Sequence, residues 1–313
     1  MTTTPLRQDL PDLDDDRVLD PDTVAAFRRD GFVRVQGLLS AEEVAAHRVV
    51  VEHAVAEHNR EARALADRDA FGKAFLQTQQ LRLRDPQVAR LAMSRRLAGA
   101  AGQLMGVDGV RVFHDQALFK EPVDASMPDN PTPWHQDLYY WPFDDETACG
   151  VWLPLVDIEP DMGGLRYATG SHRNGYLGAP ISEESQAYYN TWIAEHGIEV
   201  VDMTPMRAGD ALFHYGWTLH AAKANRSSTL RQAMTVSYFA DGLRVGQMTH
   251  KEKEHDRQVY LAGRPVGAVA DSELNTLLWS SPEATPAAHL SLGQPLPQRL
   301  PARSAPAMDE GQA

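Results

Sequence analysis

The sequence predicts a mainly β protein with flanking helices: an antiparallel sandwich or barrel packed against N-terminal helices. One sign is a change of character after Gly109. Before it apolar residues recur at helical spacing, and after it they alternate with period two. Another is the series of turn signals in the second half, Pro160-Asp161-Met162-Gly163-Gly164, Ala208-Gly209-Asp210 and Asn225-Arg226-Ser227-Ser228. Turns at such intervals leave room only for short strands.

In chain order, residues 1–20 read as a flexible arm and residues 21–29 as a short helix, followed by an alternating strand at 31–35. Ser40 with Glu43 forms a capping box that opens a long helix from 41 toward 65, its apolar face carried by Val44, Val51 and Val55. A second helix is expected over 86–105, stopped by Gly106. This helical part spans 21–106. Residues 110–120 alternate and put His114, Gln116, Leu118 and Lys120 on one face. Pro128, Pro131 and Pro133 mark a loop before the strand that carries His135. Further short strands are expected at 150–155, 164–167, 210–214, 219–224 and 231–240, so the β core covers about 110–242. A helical insertion at 182–196, N-capped by Ser182 and closed by Gly197, is either a lid or a surface excursion. One domain thus covers 21–292, and the Pro, Gln and Ala-rich tail from 293 to 313 reads as disordered.

Composition narrows the class. The 313 residues are 43% hydrophobic and 23% charged, ordinary for a soluble globular protein. No run approaches the roughly 18 apolar residues of a membrane helix, and the polar N-terminus has no signal-peptide core. The single cysteine, Cys149, excludes an internal disulfide and cysteine-based zinc sites. A net charge of −13 disfavours nucleic acid and anionic membranes as partners. There is no internal repeat and no phosphate-binding glycine loop between a strand and a helix. A cytoplasmic protein acting on a small-molecule substrate is the expectation.

The chemistry concentrates at Trp134-His135-Gln136-Asp137. On an extended strand His135 and Asp137 would share a face, and with a second histidine they make the two-His, one-carboxylate set of non-haem Fe(II) oxygenases. With 12 histidines present, a His-x-acid triplet is weak by itself. His250-Lys251-Glu252 is a rival, but it sits in a charged run ending at Arg257, where a solvated surface is expected. His135 is followed instead by Leu138-Tyr139-Tyr140-Trp141-Pro142-Phe143, an aromatic group suited to a pocket wall or to a core. His220 is the candidate third ligand and His214 its competitor. The turn at 225–228 favours His220, because it folds Arg231 back beside it. Arg231, Ala233, Thr235 and Ser237 share one strand face, opposite the more apolar Gln232, Met234, Val236 and Tyr238. A guanidinium among small polar residues suits a cavity that grips a carboxylate, against the alternative of a surface ion pair.

Taken together, these motifs resemble the phytanoyl-CoA dioxygenase (PhyH) family of Fe(II)/2-oxoglutarate oxygenases, which includes ectoine hydroxylases. The likeness runs from about 24 to 241. It covers Asp30-Gly31-Phe32-Val33, Leu38-Leu39-Ser40-Ala41-Glu42-Glu43, Trp134-His135-Gln136-Asp137, Gly163-Gly164-Leu165, Gly170-Ser171-His172, Gly209-Asp210, His220, and Arg231 eleven residues further on. The resemblance implies a double-stranded β-helix (jelly roll, cupin-like) core. It implies His135, Asp137 and His220 as metal ligands and Arg231 as the anchor for the far carboxylate of 2-oxoglutarate, with O2 as second co-substrate. Gln116, Lys120 and Trp152 are implied contacts to co-substrate or substrate. Many members carry a hydroxyl residue two positions after the distal histidine. Here that position is Ala222, so Thr235 or Ser237 is the expected helper. The presence of Asp137 favours hydroxylation over halogenation. Desaturation, cyclisation and epimerisation remain open within the class. A cupin-like metal isomerase or small-molecule binding protein is the alternative outside it, and would have no use for Arg231.

Overall fold

The computed structural model describes residues 9–68, 70–123 and 129–282. Helix α1 (Pro21–Asp30) begins behind Asp20, whose carboxylate accepts from the Asp22 amide at 2.8 Å, and ends at Gly31 with φ of 89°. Strand β1 (Phe32–Val35) follows. Helix α2 (Ala41–His58) opens with the expected capping box, the Ser40 amide donating to Glu43 Oε2 at 2.7 Å. It stops before 65, because Asn59 turns extended and its side chain accepts from the Glu61 amide.

Helix α3 (Ala70–Ala74) and strand β2 (Leu76–Gln79) come next. The single helix expected over 86–105 is two, α4 (Pro86–Ala92) and α5 (Arg95–Met105). Ser94 breaks it by N-capping the second, its hydroxyl accepting from the Leu97 amide at 3.3 Å.

The β region contains β3 (Gly109–Lys120), β4 (Thr132–His135), β5 (Ala148–Pro154) and β6 (Leu165–Ala168). After helix α6 (Glu183–Glu195) it continues with β7 (Val200–Asp202), β8 (Ala211–Tyr215), β9 (His220–Ala222) and β10 (Arg231–Ala240). Helix α7 (Lys251–Tyr260) and strand β11 (Leu277–Ser280) complete the order.

The larger sheet runs β1-β8-β5-β10-β3-β11, with β2 also paired to β3, and the smaller runs β4-β9-β6-β7. Every strand pairing is antiparallel. The alternation of β10 decides what lies on each face. Met234, Val236 and Tyr238 join Phe27, Val51, Leu91 and Leu104 of the helices in one core. Ala233, with Leu118 and Trp152, meets Leu165, Tyr167 and Ala222 of the smaller sheet. Each large apolar side chain so buried contributes about 1.5–3 kcal/mol. The two sheets therefore face one another in a jelly roll, with α1, α2, α4 and α5 backing the larger one.

The expected arm is not free where it is described. Leu10, Leu13 and Leu19 are buried, the Leu13 carbonyl accepts from the Arg96 amide, and the Leu19 amide donates to Gln103 Oε1 at 2.9 Å. Leucines at these positions give the segment a reason to dock on α5, and hydrophobic burial outweighs the freedom lost. Residues 1–8 and the tail from 293 lie outside the described residues. No helix among the described residues is long and apolar enough to cross a membrane.

Candidate metal centre and co-substrate pocket

A cavity of about 560 Å³ opens between the sheets. At its floor β4 pairs with β9 so that His135 and His220 are Cα partners, with ring centroids 4.1 Å apart. The strand ends at His135, and Asp137 belongs to the 3-10 turn that follows it, Asp137–Tyr139. The carboxylate therefore reaches the face by a turn, where the sequence suggested a continuous strand. Asp137 Oδ1 lies 3.6 Å from His135 Nε2 and 3.8 Å from His220 Nε2, and donor atoms of all three residues fall within 4.8 Å of one another.

Both rings are oriented from behind. The Pro133 carbonyl accepts from His135 Nδ1 and the Thr218 carbonyl from His220 Nδ1, each at 2.9 Å, which leaves the two Nε2 lone pairs facing inward. Burial pushes both imidazoles below their ordinary value and so favours the neutral, ligating form. For Asp137 burial acts the other way, but the His220, His214 and His135 rings outweigh it and hold the carboxyl well below its usual range. Two neutral imidazoles and one carboxylate on a single face fit a divalent iron with coordination positions to spare.

His214 stands behind the carboxylate. Its Nε2 lies 3.1 Å from Asp137 Oδ2, and its Nδ1 lies 3.1 Å from the Tyr167 hydroxyl. The carboxylate can only accept, so Nε2 carries the hydrogen and Nδ1 accepts from Tyr167. Gly150 is what makes room for this contact: a Cβ there would sit 3.1 Å from His214 Nε2 and 3.7 Å from Asp137 Oδ2.

Arg231 borders the same cavity and is 1% exposed. It donates to the Gly163 carbonyl and its Cζ lies 5.4 Å from the Trp152 ring centroid, but its Nε has no hydrogen-bond partner among the described residues. No described carboxylate pairs with it. Burial pushes its pKa down to about 9, the cost of a guanidinium without a counter-ion. Trp152, Gln116, Thr235, Ser237 and Ala222 line the cavity with it, and Trp152 Nε1 is likewise unpartnered. These orphaned donors fit a carboxylate-bearing co-substrate.

Lys120 departs from the expectation. Although opposite Arg231 in the β3–β10 register, it is fully buried and absent from the cavity wall. Its ammonium donates to the Asn130 carbonyl and to Thr132 Oγ1, so it fastens the loop before β4. These two acceptors hold it behind the wall.

Other parts of the wall were missed in the sequence. Phe75, Gln77 and Gln79 contribute from β2 and its approach, and Glu252, Asp256 and Tyr260 from α7. That helix was expected as a solvated run. His250 instead N-caps it, its Nδ1 accepting from the Lys253 amide at 3.3 Å and its Nε2 donating to the Tyr139 carbonyl at 2.9 Å, and its ring stacks on Tyr139 with centroids 4.0 Å apart. The spacing of 252, 256 and 260 is the signal that could have revealed one helix face turned inward. Helix α6 is bonded onto β4: Gln186 Oε1 accepts from the Trp134 amide at 3.1 Å, and Asn190 Oδ1 from the Trp134 indole at 3.0 Å. Among the described residues of this region, Pro180 and Ile181, just before the helix, reach the cavity.

Similarity to known proteins agrees with this geometry. An ectoine dioxygenase of Bordetella parapertussis is 25% identical over 276 residues, covering 80% of this chain and 87% of that protein. The structure of the epimerase SnoN in complex with Fe3+, alpha ketoglutarate and nogalamycin RO superposes with a TM-score of 0.68 at 25% identity, covering 82% of this chain and 98% of SnoN. The carbocyclase SnoK from nogalamycin biosynthesis shares the fold, with a TM-score of 0.68 at 24% identity over 83% of this chain and 97% of its own. The sequence profile of the Phytanoyl-CoA dioxygenase (PhyH) family matches residues 27–233, and with the His135, Asp137 and His220 constellation in place this chain belongs to that family of non-haem iron, 2-oxoglutarate-dependent dioxygenases.

Proposed function

We propose that the protein hydroxylates an unactivated C–H bond of a small molecule, with His135, Asp137 and His220 holding Fe(II) and Arg231 anchoring 2-oxoglutarate. The single observation that carries the reading is Arg231: a buried guanidinium on the cavity wall, unpaired by any described carboxylate. A bound anion would offset the cost of burying such a charge. In this chemistry bound iron lets dioxygen be split, one oxygen atom entering succinate and the other the substrate, with carbon dioxide as the third product.

The residues have separate parts. Arg231 sets the direction of 2-oxoglutarate, with Trp152 along its side and Thr235 in place of the hydroxyl that Ala222 lacks. His214 keeps one oxygen of Asp137 occupied so that the other faces the two ligand imidazoles. Tyr139, Tyr140 and Trp141 cover the substrate side with apolar surface, which limits water near the reacting bond.

Epimerisation is the second reading, favoured by the 25% identity to SnoN, which is named an epimerase. The two differ in product mass: a hydroxylated product gains one oxygen atom, and an epimer has the mass of its substrate.

The test is anaerobic reconstitution with Fe(II) and 2-oxoglutarate, then admission of oxygen in the presence of a panel of small metabolites. Succinate should form mole for mole with an oxygenated product, and Asp137→Ala should lose both. Succinate formation no higher than in a metal-free control, across the panel, would overturn the proposal.

A further inference from the structure

We infer that the substrate carries a basic nitrogen, received at the α7 end of the cavity by Asp256 among aromatic rings; this rests on the reading of the cavity as the oxygenase substrate site. The cavity is electrically two-ended. Arg231 stands at the start of β10, and Ser237, six residues along the same strand, marks the other end, about 20 Å away at ~3.3 Å per residue. The anionic co-substrate belongs to the first end.

At the second end one acceptor, Asp256, has no cation. Asp256 lines the cavity and makes no hydrogen bond or ion pair among the described residues. Two cations of its own helix are turned elsewhere, and the third, Lys253, is partly buried and forms no ion pair with Asp256. Arg257 pairs with Glu254 at 2.6 Å, and the Lys251 side chain is 91% exposed beside Glu252. Burial, reinforced by the Asp137 and Glu252 carboxylates, pushes the Asp256 carboxyl up to about 8. A bound ammonium would relieve that penalty.

A second, independent observation points to a ligand at the same place. His114 lines the cavity, is 7% exposed, and its Nδ1 has no hydrogen-bond partner. It pairs with Ser237 just before the β3–β10 register slips, a β-bulge that re-aims the strand beside the site. Burial keeps this imidazole neutral at physiological pH, so one ring nitrogen is available to accept an N–H. The Tyr260 ring lies 4.8 Å from it, with Tyr139, Tyr140 and Trp141 completing the wall. Aromatic faces around an unpaired carboxylate are the surroundings that stabilise a desolvated organic cation. At about 560 Å³ the cavity has the size of a site for a small organic molecule, not a peptide.

The experiment compares three fragments that share one ring and differ in charge: benzylamine, benzyl alcohol and benzoate. Their binding is measured by calorimetry on protein loaded with Ni(II) and 2-oxoglutarate, and again on metal-free protein. Benzylamine should bind at least about tenfold more tightly than benzyl alcohol, with benzoate weakest on the loaded protein. Asp256→Asn, checked for an unchanged melting temperature, should reduce that preference to near unity. Equal binding of amine and alcohol by the wild type, or a preference that survives in Asp256→Asn, would overturn the inference. The two readings fail separately. An amine preference without 2-oxoglutarate binding refutes the proposed function and supports this inference. Retained 2-oxoglutarate binding without the preference refutes this inference alone.

Discussion

His214 Nε2 lies 3.1 Å from Asp137 Oδ2, while Oδ1 of the same carboxylate faces His135 and His220 at 3.6 and 3.8 Å. The two histidines that compete in the sequence for a place at the metal thus have different work. One holds the acid, and the other stands where a ligand would. His220→Ala should remove stoichiometric divalent metal binding. His214→Leu should keep one metal per chain and weaken its affinity by about 10–100-fold, the usual cost of losing a partner behind a ligand. Competition titration with a chelating dye reads both. Intact affinity in His220→Ala with lost binding in His214→Leu would reverse the assignment.

Away from the site, Arg82 and Asp115 form an ion pair of 2.7 Å that is almost wholly out of water. Arg82 also donates to the Phe113 and Leu274 carbonyls, so it ties β3 to the segment before β11. Burial raises the Asp115 carboxyl even with Arg82 beside it. Arg82→Met should therefore destabilise by about 3–5 kcal/mol, because Asp115 is left buried and unpaired. Adding Asp115→Asn should recover part of that loss. Urea unfolding of the single and double variants checks it, and a single-variant cost under about 1 kcal/mol would contradict it.

Three buried histidines outside the metal triad contribute to the acid response of the metal-free protein, beside His135 and His220. Burial pushes His47, His114 and His172 each down to about 4 from an ordinary 6.5. Each folded-state value lies below the unfolded one, so the unfolded chain takes up protons first as pH falls. The stability they permit is complete above about 6.5 and is lost progressively toward 4. Each fully buried histidine is worth on the order of 3 kcal/mol over that interval. The melting temperature should fall steeply across this window, and His47→Leu should flatten the slope. A melting temperature independent of pH there would contradict the account.

What the sequence revealed, and what it hid, has a physical pattern. The alternation of β3 and β10 was legible because one face of each strand meets a helical core and the other a polar cavity. His135 and His220 were legible because paired strand ends bring them together. The turn at 225–228 forms no hairpin, since β9 and β10 belong to opposite sheets, and Arg231 reaches the cavity from across it at the start of β10. Asp137 was read on a strand, yet it comes from a turn, since period two alone does not show where pairing stops. Helix α7 was hidden by its charge. Lys251, Glu254 and Arg257 make it look solvated, although 252, 256 and 260 share an inward face. Lys120 was read by its face alone, and only tertiary structure shows that the loop at Asn130 covers it.

The central claim is that Arg231 and the ligand triad together bind 2-oxoglutarate. Anaerobic calorimetric titration of 2-oxoglutarate into Fe(II)-loaded protein, wild type beside Arg231→Gln, tests it most directly. The wild type should bind one equivalent, and the variant should lose at least about 100-fold in affinity, the scale of a charge-assisted bidentate contact. Equal affinity in the two proteins, or no binding by the wild type, would contradict the account.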